Sequence, residues 1–248
     1  MMFGRLPADP ARIAAAPSLR KYGLVPPPPV VNRDDVPFTP ELYENDVLPD
    51  CTAVTLANCA QAASWALTGA GEFIDPASVP SFYAASIGHA GESDAALAAT
   101  DGAVLLDVLA FQSRSGFHVG QQAPLVASFG TVDPTDRAGI AAAVYHLGAC
   151  ALGVTLHQKD MDTFGAGVWD DDGSDQGAVV GGHALFAWAY TGLSDDDLVQ
   201  VGTWGNWQYA TWRFLAARLD EAHGLMWNDR APGLDYVALK AAIKGFVA

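Results

Sequence analysis

Two residues of this chain have the types and settings that nucleophilic acyl chemistry needs. Cys51 follows Pro49-Asp50 and opens the run Cys-Thr-Ala-Val-Thr-Leu-Ala-Asn-Cys-Ala-Gln-Ala-Ala-Ser-Trp, with Gly69 soon after it. Asp50 as an N-cap and Gly69 as a stop predict a helix with Cys51 on its first turn. Unsatisfied N–H groups and the helix dipole favour negative charge there, which lowers a thiol pKa and makes a nucleophile. By position alone, Cys51 could equally be a small apolar residue packing a helix start. His183 lies in Gly181-Gly182-His183-Ala184-Leu185-Phe186-Ala187-Trp188-Ala189-Tyr190. The alternation predicts a strand with Phe186, Trp188 and Tyr190 on one face and His183, Leu185 and Ala187 on the other. The two glycines allow another backbone, or a substrate, to come close. A lone histidine at a strand start is an ordinary polar end residue; paired with a helix-start cysteine it becomes a candidate general base.

Other candidates are weaker. Cys59 and Cys150 sit among apolar residues and read as core. His89, His118, His146, His157 and His223 are scattered without ligand spacing for zinc. Asp170-Asp171-Asp172-Gly173-Ser174-Asp175 has its glycine misplaced for a calcium loop and no distal glutamate, so it reads as a solvated acidic loop. No metal and no cofactor is expected, and there is no phosphate-binding glycine loop or Gly-x-Ser-x-Gly elbow.

The elements that must position the pair follow from pattern. Residues 1–40 are rich in Pro and Ala and include Pro26-Pro27-Pro28-Pro29, which cannot form a helix. They read as an extended arm over the surface or as a disordered tail. Beyond Cys51, helices are expected near Ser78, over Val104 to Arg114, and over Ala138 to His146. Strands are expected over Cys150 to Leu156, His183 to Tyr190 and Leu198 to Trp204, then helices over Trp212 to His223 and Tyr236 to Phe246. Helices first and strands later predict an α+β fold. A helical lobe over about 41–130 and a β-rich lobe over about 131–248 divide the main domain.

Composition bounds the partners. The 248 residues carry 28 acidic and 13 basic side chains, a formal net charge of -15. Such a surface repels phosphate backbones and anionic lipid, so neither nucleic acid nor membrane is expected as a partner. The longest apolar stretch, Gly139 to Leu156, is broken by His146, Gly148 and Gly153, and reads as a buried helix, a turn and a buried strand. Three cysteines argue against a disulfide framework, and the first residues lack the apolar core of a secretory signal. The expected location is the cytoplasm of the producing cell.

The order of these motifs resembles the papain family: a cysteine at a helix start, a histidine strand, then Thr203-Trp204-Gly205. The resemblance implies a two-lobed fold with Cys51 and His183 facing each other across a cleft. It also implies an oxyanion donor six residues before the nucleophile, where Asn45 stands. The family's orienting asparagine, in Asn-Ser-Trp-Gly, corresponds to Gly202, which leaves Thr203 to offer a hydroxyl and Trp204 to shield the imidazole. Gly202→Asn is therefore expected to raise activity, provided the turn can accept a side chain. The chain also resembles the papain-like proteins of phages and prophages. It shares with them Asn45-Asp46 ahead of Asp50-Cys51-Thr52, Gly181 to Ala184, the Thr-Trp-Gly turn, Thr211 to Phe214 and Asp220 to Ala222. Two functions follow as expectations: a cysteine hydrolase acting on a peptide or protein substrate, or a virion structural protein that binds other virion proteins on a retained scaffold.

Overall fold

In the computed structural model, residues 1–117, 127–227 and 234–247 are described; His118 lies outside them. The chain starts with β1 (Arg5–Leu6), α1 (Pro10–Ala15) and a 3-10 turn at Leu19–Tyr22. The helical lobe follows: α2 (Cys51–Thr68), α3 (Ser78–Ser86), α4 (Asp94–Ala98), β2 (Ala103–Val104) and α5 (Leu105–Gln112). The sheet lobe holds β3 (Ser128–Val132), α6 (Arg137–Leu147), β4 (Cys150–His157), α7 (Gln158–Asp162), β5 (Val168–Trp169) and β6 (Val179–Tyr190). It continues with β7 (Leu198–Thr203), β8 (Asn206–Thr211), α8 (Trp212–Arg218), β9 (Leu219–Met226) and α9 (Tyr236–Phe246). This is an α+β fold, helices first.

The sheet runs β3-β9-β4-β6-β7-β8-β5, antiparallel except for the short β5–β8 pair. Helix α2 is buried along most of its length by small residues such as Ala53, Ala57 and Ala60, which let it lie close against β6. That packing brings the start of α2 beside the middle of β6. Helices α3 and α5 cover another side of α2. Apolar side chains from both lobes form one continuous core, the arrangement in which burial supplies most of the driving force.

Two expectations need correction. The segment Trp212 to His223 is not one helix: α8 ends at Arg218 and the chain turns into β9, between β3 and β4. Asp220-Glu221-Ala222 favours a helix locally, and the open hydrogen-bonding edges of β3 and β4 override it. The first forty residues are ordered in the fold and are not confined to its surface. Val31 exchanges backbone hydrogen bonds with Tyr190 (2.9 and 3.0 Å), and Arg33 donates to the carbonyls of Val144 (2.7 Å), Trp188 (2.8 Å) and Gly148. Residues Met2 to Leu6 go further and enter the space between the lobes, where β1 pairs in parallel with β2.

Candidate active site

Cys51 is the first residue of α2, as its sequence context required, and is almost wholly buried. Asp50 precedes it but makes no capping bond. Its carboxyl is buried and accepts from the Asn45 amide at 3.1 Å, and burial pushes its pKa well up. Its charge lies beside the thiol and adds to the burial that opposes a thiolate at Cys51.

Asn45 is engaged in the loop itself. Its Nδ2 donates to the Leu48 carbonyl (3.0 Å) and to Asp50, so both amide hydrogens are committed. The preceding Tyr43 and Glu44 have φ of 46° and 74°, which folds this loop back under α2. The expectation that Asn45 offers a free oxyanion donor is corrected on this point: its short arm turns inward and ties the loop.

His183 sits inside β6, four residues into the strand, and not at its start. Its Nε2 meets the Thr203 hydroxyl at 2.7 Å. Its ring stacks on Trp204, with centroids 4.0 Å apart and planes 20° from parallel. Nδ1 is buried with no hydrogen-bond partner. The backbone amide of the next residue, Ala184, favours the Cys51 thiolate, so the thiol lies against β6 beside the peptide that follows His183.

The Thr-Trp-Gly turn explains the clamp. Strands β7 and β8 are joined by the two-residue loop Trp204-Gly205, with Thr203 paired to Asn206. Both loop residues have positive φ, 45° and 70°, as the tight hairpin turns that match strand twist require. Trp204 is held in a conformation costly for a non-glycine residue, and its ring is thereby laid over His183. Asn206 donates to the Trp204 carbonyl at 3.1 Å, which fixes the turn and leaves it no part in orienting the histidine.

The condition set for Gly202, room for a side chain, is not met. A Cβ at 202 would lie 2.2 Å from the Phe186 ring, and Thr203 already orients Nε2. Gly202→Asn is therefore expected to cost about 1–3 kcal/mol of stability by overpacking and to yield no gain in hydrolysis. Urea midpoints and rates measured together check both halves.

Residues that the sequence did not single out complete the site. The arm runs over it: Met2 donates to the Asn45 carbonyl (3.0 Å), Trp204 Nε1 donates to the Met2 carbonyl (3.2 Å), and Ala103 donates to the Gly4 carbonyl (2.7 Å). Phe3 stands edge-on to both His183 and Trp204. The glycine pair before His183 was the available signal. A Cβ at 182 would meet the Arg5 carbonyl at 2.2 Å, and one at 181 the Phe3 ring at 3.0 Å. The backbone they admit is the chain's own.

Enclosure sets the electrostatics. Burial pushes the Cys51 thiol up to about 12, although the Ala184 and Gly4 amides and the Arg5 charge pull the other way. Burial, helped by Arg5, pushes His183 down to about 3. The expected low-pKa thiolate is thus absent in this closed form: the helix start is present, and desolvation outweighs it. Both partners are neutral. Burial also raises Cys59 and Cys150, and all three cysteines are free thiols. Among the described residues no group of three or more His, Cys, Asp or Glu is placed to hold a metal ion, and no helix is long and apolar enough to cross a membrane.

No family model matches the sequence, and no curated protein matches it. Solved structures do. Xylellain, a cysteine protease from Xylella fastidiosa, aligns over 92% of each chain with a TM-score of 0.58 at 14% identity. The digestive procathepsin L 3 of Tenebrio molitor larval midgut aligns over 90% of this chain and 73% of its own, with a TM-score of 0.55 at 10% identity. The proform of the ragweed pollen allergen Amb a 11, a cysteine protease, aligns over 86% and 71% with a TM-score of 0.59 at 13% identity. The fold of this chain is the papain-like cysteine protease fold.

Proposed function

We propose that the chain is a cysteine hydrolase of peptide or amide bonds, with Cys51 as nucleophile and His183 as base. The observation that carries this reading is the setting of His183: Nε2 held by Thr203, one face covered by Trp204, and Nδ1 left without a partner. A ring held so has one free nitrogen with which to take a proton. With the cleft open, Nδ1 accepts the Cys51 proton and the thiolate attacks the substrate carbonyl carbon. Negative charge collects on the carbonyl oxygen, beside the Cys51 backbone N–H at the start of α2. The C–N bond breaks as His183 returns the proton to the leaving amine, and water then releases the acyl group from its thioester. Asn45 would join the oxyanion donors only by leaving Leu48 or Asp50.

The motif resemblance supports a phage or prophage origin, and the three unpaired cysteines suit the reducing cytoplasm of a producing cell. A second reading, a virion scaffold that binds other virion proteins, is favoured by one observation: the pair is buried and neutral under the arm. The test is hydrolysis of a fluorogenic peptide library by the wild type and by Gly4→Ala, in which a Cβ 1.9 Å from the Pro49 carbonyl oxygen is expected to displace the arm. The hydrolase reading expects turnover in Gly4→Ala that falls at least about a thousandfold in a Cys51→Ala or His183→Ala background. A folded Gly4→Ala protein with an alkylatable Cys51 and no turnover leaves the scaffold reading standing.

A further inference from the structure

Arg5 is the deepest anchor of the arm. Its side chain is 1% exposed, with Nη1 donating to Glu221 Oε1 at 3.1 Å and Nη2 to the Val154 carbonyl at 3.2 Å and to Asp220. Glu221 lies on β9 and is wholly buried. A carboxylate in the middle of a sheet is costly unless it is partnered. Half of it is satisfied by the core, since Oε2 meets His223 Nε2 at 3.0 Å. The other oxygen is turned to the cleft, where only Arg5 meets it among the described residues. Asp220, held by the Thr155 hydroxyl at 3.0 Å, stands at the rim with 44% of its side chain exposed.

The backbone leaves room for this side chain. A Cβ at Gly153 would come within 2.6 Å of Glu221 Cγ and 2.8 Å of Arg5 Cδ, so a glycine on β4 makes the space that the stem of Arg5 fills. On the other wall Gly182 lets the Arg5 carbonyl pass over β6. The chain carrying Arg5 is extended and hydrogen-bonded to Ala103, and its Gly4 amide reaches the Cys51 sulfur. A peptide lying along the same path would place a side chain in the same hole.

We propose that the pocket formed by Glu221, Asp220, the Val154 carbonyl and Gly153 is the specificity pocket of the cleft, that it selects a basic side chain in a bound peptide, and that the arm holds the site closed by supplying that side chain itself. This rests on the reading that the cleft binds peptides. Planar guanidinium and paired carboxylates match in geometry as well as charge. A neutral side chain of the same length would leave Glu221 Oε1 buried without the donor that Arg5 supplies, which is how such a pocket discriminates.

The experiment uses the full chain with Arg5→Ala and the peptide acetyl-Phe-Gly-Arg-Leu-amide, which copies the arm. Isothermal titration is expected to show Arg5→Ala binding this peptide at least about a hundredfold more tightly than its norleucine analogue. The wild type is expected to bind neither, and Arg5→Ala combined with Glu221→Gln to lose the preference. Equal binding of the two peptides, or none, by folded Arg5→Ala overturns the proposal. If Arg5→Ala does not fold alone, the arginine peptide should restore its cooperative thermal transition and the norleucine peptide should not; failure to restore it overturns the proposal as well. Binding with the expected preference but without cleavage would leave the pocket standing and remove the hydrolase reading. Cleavage without preference at this position would do the reverse.

Discussion

Gly4→Ala is expected to raise the alkylation rate of Cys51 at pH 7 by about a thousandfold. A Cβ on residue 4 would lie 1.9 Å from the Pro49 carbonyl oxygen and 2.3 Å from its carbon. Those are backbone atoms of the loop that starts α2, so they cannot swing aside as a side chain could. The opposite wall is equally closed, because a Cβ at Gly102 would meet Gly4's own carbonyl oxygen at 2.0 Å. The relief available is withdrawal of the arm. Enclosure holds the thiol at about 12 against an ordinary value of 9.0. Returning it to the ordinary value multiplies the thiolate fraction at neutral pH by about a thousand. Water and a chargeable His183 would take it further. The measurement is iodoacetamide labelling followed by mass spectrometry, with Cys59 and Cys150 as internal controls, since both stay buried in the core. Labelling of Cys51 no faster than in the wild type, in a protein with native circular dichroism, would show that the arm is not what protects it.

Much of this arrangement can be read from the sequence, and the remainder has a common physical cause. Cys51 at a helix start, the His183 strand and the helix-turn-strand from Gly139 to Leu156 carry local signals: a stop glycine, side-chain alternation and an apolar run broken by glycine. The sheet position of β9 carries none. Asp220-Glu221-Ala222 looks helical, and only the vacant edges of two distant strands make it β. Thr203 could be named from the motif as the hydroxyl beside Gly202, while its approach to His183 Nε2 at 2.7 Å is seen only in the fold. The arm is the clearest case. Its polyproline run announces an extended chain, while what fills the cleft is Phe3, Gly4 and Arg5, three residues without a motif, matched to Gly181, Gly182 and Glu221 nearly two hundred positions away. Complementarity across such a separation is visible only after folding.

Acid should loosen the closed form through His183, and the sign follows from where its proton is favoured. The ring is wedged between Trp204 and Phe3 with Arg5's charge nearby, and burial holds it at about 3 against an ordinary 6.5. Between those values the unfolded chain binds a proton that the closed form refuses. Stability is therefore complete at and above pH 6.5 and is lost as the pH falls toward 3. At about 1.4 kcal/mol per unit, the loss attributable to this ring is roughly 2 kcal/mol by pH 5. Asp50 acts in the opposite direction: its raised carboxyl binds a proton more readily in the folded chain and gains stability as the pH falls toward its unfolded value near 3.8. Glu221 lies below its usual range, because the hydrogen bond from His223 and the charges of His223 and Arg5 outweigh its burial. Its loss begins only below about pH 4.5, the ordinary glutamate value. The His183 contribution is isolated by difference, using urea unfolding at pH 7, 6 and 5 for the wild type and for His183→Gln, which can still meet Thr203 but takes no proton. The wild type should fall by roughly 2 kcal/mol more than the variant over that range. Parallel curves would mean that the ring protonates without disturbing the arm, and that the enclosure around it is looser than its burial and its contacts with Trp204 and Phe3 require.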